Sequence, residues 1–181
     1  MDDCIFCKIL KKEIPSMRIY ENEGAVAMLD VKPLAPGHSI VIPKSHIALV
    51  EDMKDKEMEH VFSAVRTVLQ KVKNSDIKPH GFTIGINDGK AAHQFVPHVH
   101  VHIIPRFEKD GGGSVHTIVS NPPSMDLKTA FDMINKAEKE EEKAAVDKKN
   151  EEAPTHTASA TAHRPETLEE KRRRLERQLG L

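Results

Sequence analysis

An α+β fold built on an antiparallel sheet is predicted by three observations. Several short apolar runs are punctuated by turn residues. One long segment repeats its apolar residues at helical spacing. The links between runs are short enough for hairpins. In chain order, Phe6 to Lys12 reads as a short helix ended by Pro15. Met17 to Tyr20 and Ala25 to Asp30 read as strands, with Asn22-Glu-Gly24 as their turn. Pro33 to Gly37 is a loop, and Ser39 to Ile42 is a strand closed by Pro43. Met58, Val61, Phe62, Val65, Val68, Leu69 and Val72 fall on one face of a helix. Gly81 to Ile86 is a strand followed by a turn at Asp88-Gly89. His98 to Ile104 is the last strand, closed by Pro105. Gly111 to Gly113 is a flexible loop, and Met125 to Ala137 a second long helix.

The 181 residues have room for one domain and an appendage. Apolar periodicity stops near residue 136, where Lys, Glu and Ala take over, followed by a stretch rich in Thr, Ala and Ser. Residues 1–135 are therefore expected to fold as the functional domain. Residues 136–181 form a charged, low-complexity or helical extension. Within it, Thr167 to Glu170 fits a capping box and Lys171 to Arg174 is a basic run, so the extension is a candidate surface for an unidentified protein partner. A net charge of −1 offers no footprint for nucleic acid. No apolar run is long enough to span a membrane, and the N-terminus lacks the pattern of a signal peptide. The expected location is the cytoplasm, with the nucleus as the alternative.

His98, His100 and His102 alternate with Val99 and Val101. In a strand, alternate residues share a face, so three imidazoles point one way. A solvent-facing strand edge would carry Lys, Glu or Thr more readily. The cluster reads instead as a phosphate or metal site, because imidazole near neutral pH is a nucleophile, a proton carrier and a ligand. Cys4 and Cys7 cannot build a disulfide framework. Their Cys-x-x-Cys spacing suits a metal half-site or a redox pair, although no βαβ setting supports the redox reading.

The stretch from Gln94 to Arg106, Gln-Phe-Val-Pro-His-Val-His-Val-His-Ile-Ile-Pro-Arg, resembles the signature of the histidine triad (HIT) superfamily. Asp30 to His46 and the opening Cys4 to Pro15 resemble two further blocks of that family, in the same order and spacing. The resemblance spans residues 4 to about 107 and is nearest to the nucleoside phosphoramidase branch. It implies a five-stranded antiparallel sheet with flanking helices, continued across a homodimer. It implies His100 as nucleophile on phosphorus, His102 and Asn87 on the phosphate oxygens, and His38 beside the nucleophile, orienting it. Gln94 would contact the phosphate or leaving group, and Asp30 the ribose hydroxyls. Ile5, Phe6, Ile9, Met28 and Val31 would pack a purine base, although ordinary core packing explains Ile9 and Val31 equally well. Cys4, Cys7, His46 and His98 would hold a structural zinc, with two buried thiols and two hydrogen-bonded histidines as the alternative. No organic cofactor is implied.

Two departures from the branch pattern stand out. Phe95 occupies a position usually held by Ser or Thr, and the chain has no Trp. The implied function is hydrolysis of purine nucleoside phosphoramidates through a nucleotidyl–histidine. The alternatives are a dinucleoside polyphosphate hydrolase, a non-catalytic nucleotide-binding scaffold, and a purely metal-binding module.

Overall fold

The computed structural model describes residues 3–122 and 124–136. The chain divides into two units, Met1–Ser120 and Asn121–Leu181. The boundary expected near residue 135 falls within the second unit, whose described part contains a helix over residues 127–136. The capping box and basic run of the extension lie outside the described residues.

The first unit contains five strands: β1 (Arg18–Glu21), β2 (Ala25–Leu29), β3 (Ser39–Pro43), β4 (Gly81–Ile86) and β5 (Val101–Arg106). They pair antiparallel in the order β1-β2-β3-β5-β4. Helix α1 is Ile5–Leu10 and helix α2 is Asp55–Lys73. No helix among the described residues is long and apolar enough to cross a membrane.

Strand alternation sends successive side chains to opposite faces. On one face, Ala25, Ala27, Val41, Val101 and Ile103 meet Val61, Val65, Val68 and Val72 of α2. Each buried valine contributes about 1.5–3 kcal/mol of transfer free energy. Phe62, expected on the same helical stripe, stays nearly half exposed. On the other face, Val26, Met28, Ile40 and Ile42 pack with Phe6 and Ile9 of α1. The β1–β2 turn is held by Asn22, whose Oδ1 accepts from the Gly24 and Ala25 amides while its Nδ2 donates to the His60 carbonyl on α2.

Register builds the floor of a cavity on the α1 side. Met28 pairs with Ile40, Ile40 with His102, and His102 with Gly85, a row crossing four strands. Before β3, Gly37 adopts φ +81°, a conformation that disfavours other residues, and an added Cβ would meet the tip of the Ile77 side chain at 2.9 Å. The loop it closes delivers His38 to this same face.

Two sequence expectations are corrected. The final strand starts at Val101 rather than His98. The His98 amide bonds the Val96 carbonyl and the Val99 amide bonds the Ile47 carbonyl, both outside the sheet ladder, yet His98 stays on the α1 side with His100, where the Phe6 ring meets both. The glycine-rich loop after β5 is also more tightly held than its composition suggests. Arg106 clasps both carboxylate oxygens of Asp110 at 2.7 Å, and the Phe107 and Gly112 amides donate to the same carboxylate. That clasp holds the Asp110 carboxyl well below its ordinary range.

Candidate functional site

The conformation of His98 creates two sites from one segment. Its ring is fully buried, with Nδ1 at 3.6 Å from Cys4 Sγ and 3.8 Å from Cys7 Sγ. His46 Nδ1 lies 3.3 Å from Cys7 Sγ. All four ligand atoms lie within 4.8 Å of one another. A tetrahedral zinc with bonds of about 2.0–2.3 Å needs ligand separations of about 3.3–3.8 Å, so this donor set fits such an ion. The tautomer of His98 fits too. Its Nε2–H donates to the Pro43 carbonyl at 3.0 Å, which leaves the Nδ1 lone pair facing the sulfurs. Burial, followed by the Cys4 thiol, pushes the Cys7 thiol above its ordinary range, so a cation is what would favour the thiolate there.

The second site opens from His100. Its Nδ1–H donates to the His98 carbonyl at 2.8 Å, so in the neutral imidazole the lone pair is on Nε2. The Phe6 ring tilts against the imidazole with centroids 5.3 Å apart. His100 lines a cavity of about 670 Å³, shared with His38 and His102. Among the expected substrate contacts, Asp30, Asn87, Ile5, Phe6, Ile9, Met28 and Val31 all line this cavity. Ile9 and Met28 serve both the core and the cavity wall. Val31 does not pack in the core and stands 90 % exposed at the cavity mouth. Ile40, Gly85 and Ile104 complete the floor and escaped sequence reasoning, because only strand register reveals them.

A chain of hydrogen bonds fixes the proton positions beside His100. The Leu34 amide donates to His38 Nδ1 at 3.1 Å, so the proton of a neutral His38 resides on Nε2. That proton is shared with His102 Nδ1 at 3.0 Å, so His102 carries its own proton on Nε2. Asp30 Oδ2 lies 3.7 Å from both His38 Nε2 and His102 Nδ1. Burial lowers both imidazoles below their ordinary pKa despite the opposing Asp30 charge, and nearby His100 and His38 lower His102 further. Asp30, His38 and His102 are also close enough to hold a cation. Metal on His38 Nε2 would require a proton on Nδ1, where it would face the Leu34 N–H, so hydrogen bonding is the better use of this group.

Two expected roles differ here. His38 orients His102 rather than the nucleophile, whose orientation comes from the main-chain carbonyl of His98. Gln94 does not face the cavity. Its Oε1 accepts from the Gly89 amide and its Nε2 donates to the Ala48 carbonyl, both at 2.8 Å, so it braces the loop before His98. Asp88 does similar work, accepting from the Val50 amide. No buried side-chain nitrogen or oxygen among the described residues lacks a partner.

A HIT domain family model matches residues 11–109, more than half of the chain. The chain belongs to the HIT family. An adenosine 5'-monophosphoramidase of Saccharomyces cerevisiae is 36% identical over 137 residues, covering 76% of this HIT chain and 79% of the relative. An adenylylsulfatase of Arabidopsis thaliana is 38% identical over 112 residues, covering 60% of this chain and 55% of the relative. The crystal structure of a zinc-bound histidine triad family protein from Mycobacterium smegmatis superposes with a TM-score of 0.56 at 29% identity, covering 75% of this chain and 98% of that one. The five-stranded antiparallel sheet with flanking helices is thus the fold of a HIT protein, as the motif resemblance implied.

Proposed function

We propose that this HIT protein is a nucleotide hydrolase that cleaves purine nucleoside phosphoramidates through a covalent nucleotidyl–histidine at His100. The observation that carries the reading is the His100–His98 carbonyl bond, which places the lone pair of the neutral imidazole on Nε2, in a cavity of nucleotide size. Its Nε2 lone pair forms a bond to phosphorus as the bond to the leaving group breaks. The leaving nitrogen keeps the electron pair, takes one proton from solvent and departs as the amine. Water then adds hydroxide to phosphorus and gives its other proton to solvent, while the Nε2–P pair returns to His100 and the nucleoside monophosphate leaves.

His102 supplies an Nε2–H donor for a phosphate oxygen, held in that tautomer by His38, and Asn87 supplies another from the cavity rim. Asp30 takes the ribose hydroxyls. Ile5, Phe6, Ile9, Met28 and Val31 hold the base. A zinc ion on Cys4, Cys7, His46 and His98 has a structural role, tying the N-terminal segment to the strand that carries the nucleophile. The relative named a phosphoramidase and the zinc-bound HIT neighbour support this reading. Release of AMP from adenosine 5'-phosphoramidate by the full chain tests it. Nucleotide binding without release would leave a binding protein instead.

Acid should weaken the site and the fold together. His38 and His102 have pKa values below 6.5 in the folded chain, whereas unfolded histidine titrates near 6.5. Between those values the unfolded chain binds more protons, so the stability contribution is present above about pH 6.5 and is lost as pH falls toward the folded pKa values. A second proton between His38 Nε2 and His102 Nδ1 also breaks their bond. The melting temperature and kcat/KM are expected to fall together from pH 7.5 to pH 5.5. A melting temperature that rises over that interval contradicts the assignment.

The extension beyond residue 135 is proposed to be dispensable for chemistry. Every residue given a role here lies before Phe107, and the later sequence lacks the apolar density that offsets chain ordering. A chain ending at residue 135 should fold, dimerise and hydrolyse substrate near the full-length rate. Dimerisation is measured by sedimentation, with the outer strand β4 and its half-exposed Ile84 as the edge on which a second copy would continue the sheet. A soluble truncated chain with little activity would show that the extension reaches the active site.

A further inference from the structure

Phe95 is 89% exposed, an unusual setting for a large aromatic beside a catalytic cavity. It lines the 670 Å³ cavity together with His100, and it also lines a second cavity of about 410 Å³ with Cys4, His46 and Pro97. Ile5 and Val96 are likewise common to both cavities. The ring is presented by a braced backbone. Gln94, the residue before it, is tied at both ends of its amide, and His93 is held in the left-handed region at φ +62°. The His93 and Phe95 rings lie 6.4 Å apart at 34°, both on the larger cavity.

We propose that the smaller cavity, entered across Phe95, is the subsite for the leaving group, and that it takes an alkylamine bearing an aromatic ring. The proposal rests on the phosphoramidate reading above. Three observations support it. Base and ribose are assigned to residues of the larger cavity, so a leaving group on the phosphorus needs separate space, and among the described residues Ile5, Phe95 and Val96 are shared by the two cavities. The exposed Phe95 face, backed by His93, offers stacking area to a planar group. Charge selects against an anionic leaving group: among the described residues no Lys or Arg lines the smaller cavity, Asp3 does, and Lys32 is the one such cation on the larger. A polyphosphate chain would leave its charge unmatched there.

The step is the one already written. The P–N bond breaks, and the departing nitrogen keeps its electron pair and takes a proton from solvent. Phe95 binds the organic part of that amine and touches no reacting atom.

The test compares adenosine 5'-phosphoramidates of 2-phenylethylamine and 2-cyclohexylethylamine on the full chain, with Phe95→Ser and Phe95→Tyr. The ratio of kcat/KM for the two substrates, compared between proteins, cancels their intrinsic reactivity. The wild-type ratio should exceed that of Phe95→Ser by about two- to tenfold, the worth of one aromatic contact, and Phe95→Tyr should retain it. A ratio unchanged in Phe95→Ser, with both substrates cleaved, overturns the subsite and leaves the hydrolase reading standing. A greater loss in Phe95→Ser for P1,P4-di(adenosine) tetraphosphate than for adenosine tetraphosphate, with no change in the amine ratio, overturns the amine in favour of a second nucleoside. Cleavage of neither phosphoramidate by the wild-type chain overturns the hydrolase reading and the subsite together.

Discussion

Replacing His100 with alanine should abolish turnover while the fold and nucleotide binding persist. The side chain is buried at the cavity wall, and its one hydrogen bond runs from Nδ1 to the carbonyl of His98. Removing it costs the neighbours no polar partner except that carbonyl, so the expected stability loss is modest. The kinetic loss is large, because no other imidazole can substitute. His102 keeps its Nδ1 occupied by His38 and carries its proton on Nε2, and His98 has both nitrogens engaged. Loss of a covalent nucleophile should lower kcat by about 10³-fold or more. A His100→Ala protein that keeps more than about a tenth of the wild-type rate, a barrier change under about 1.4 kcal/mol, would remove His100 from the mechanism.

The second large effect is expected at the cysteines. Cys4 and Cys7 flank the start of α1, His46 follows β3, and His98 leads into β5, so one ion at their centre would cross-link three separate parts of the first unit. Metal analysis of purified protein should find about one zinc per chain, as a four-ligand tetrahedral set requires. Cys4→Ser or Cys7→Ser should lose the metal and lower the melting temperature by about 5 °C or more, since structural zinc sites contribute folding free energy directly. The chemical step should suffer less, through His98 alone. Its ring belongs to the cluster while its carbonyl holds His100, so loosening the ring loosens the nucleophile's orientation. Metal-free wild-type protein with the same melting temperature as the metal-bound protein would refute a structural zinc.

Much of this architecture was legible in the sequence because its signals are local. The valine stripe of α2 follows from helical spacing and buries the face it predicts, while β2 and β3 follow from short apolar runs bounded by turn residues and are buried on both faces. The histidine run is legible as a shared face but not as two sites. Alternation puts the imidazoles on the α1 side, where Phe6 meets both His98 and His100, and buries Val99 and Val101 on the other. The division of labour depends on partners far off in the sequence, since His98 meets Cys4 and Cys7 while His102 meets His38. Gln94 illustrates the same limit. A polar side chain beside a cluster of histidines reads as a substrate contact until its two backbone partners are known. Gly85 and Ile40 became visible as cavity floor only once register aligned them with His102. Similarly, the tautomer of His102 depends on the Leu34 amide, which no side-chain pattern announces.

The central claim is that phosphorus becomes bonded to His100 during turnover. Rapid acid-free quenching of the full chain with adenosine 5'-phosphoramidate, followed by proteolysis and mass spectrometry, reads this directly. The account predicts one adenylyl group on the peptide containing residues 98–102, assigned by fragmentation to His100 and absent from His100→Ala. An adduct located on another residue, or turnover with inversion at phosphorus and no adduct at any quench time, would contradict it.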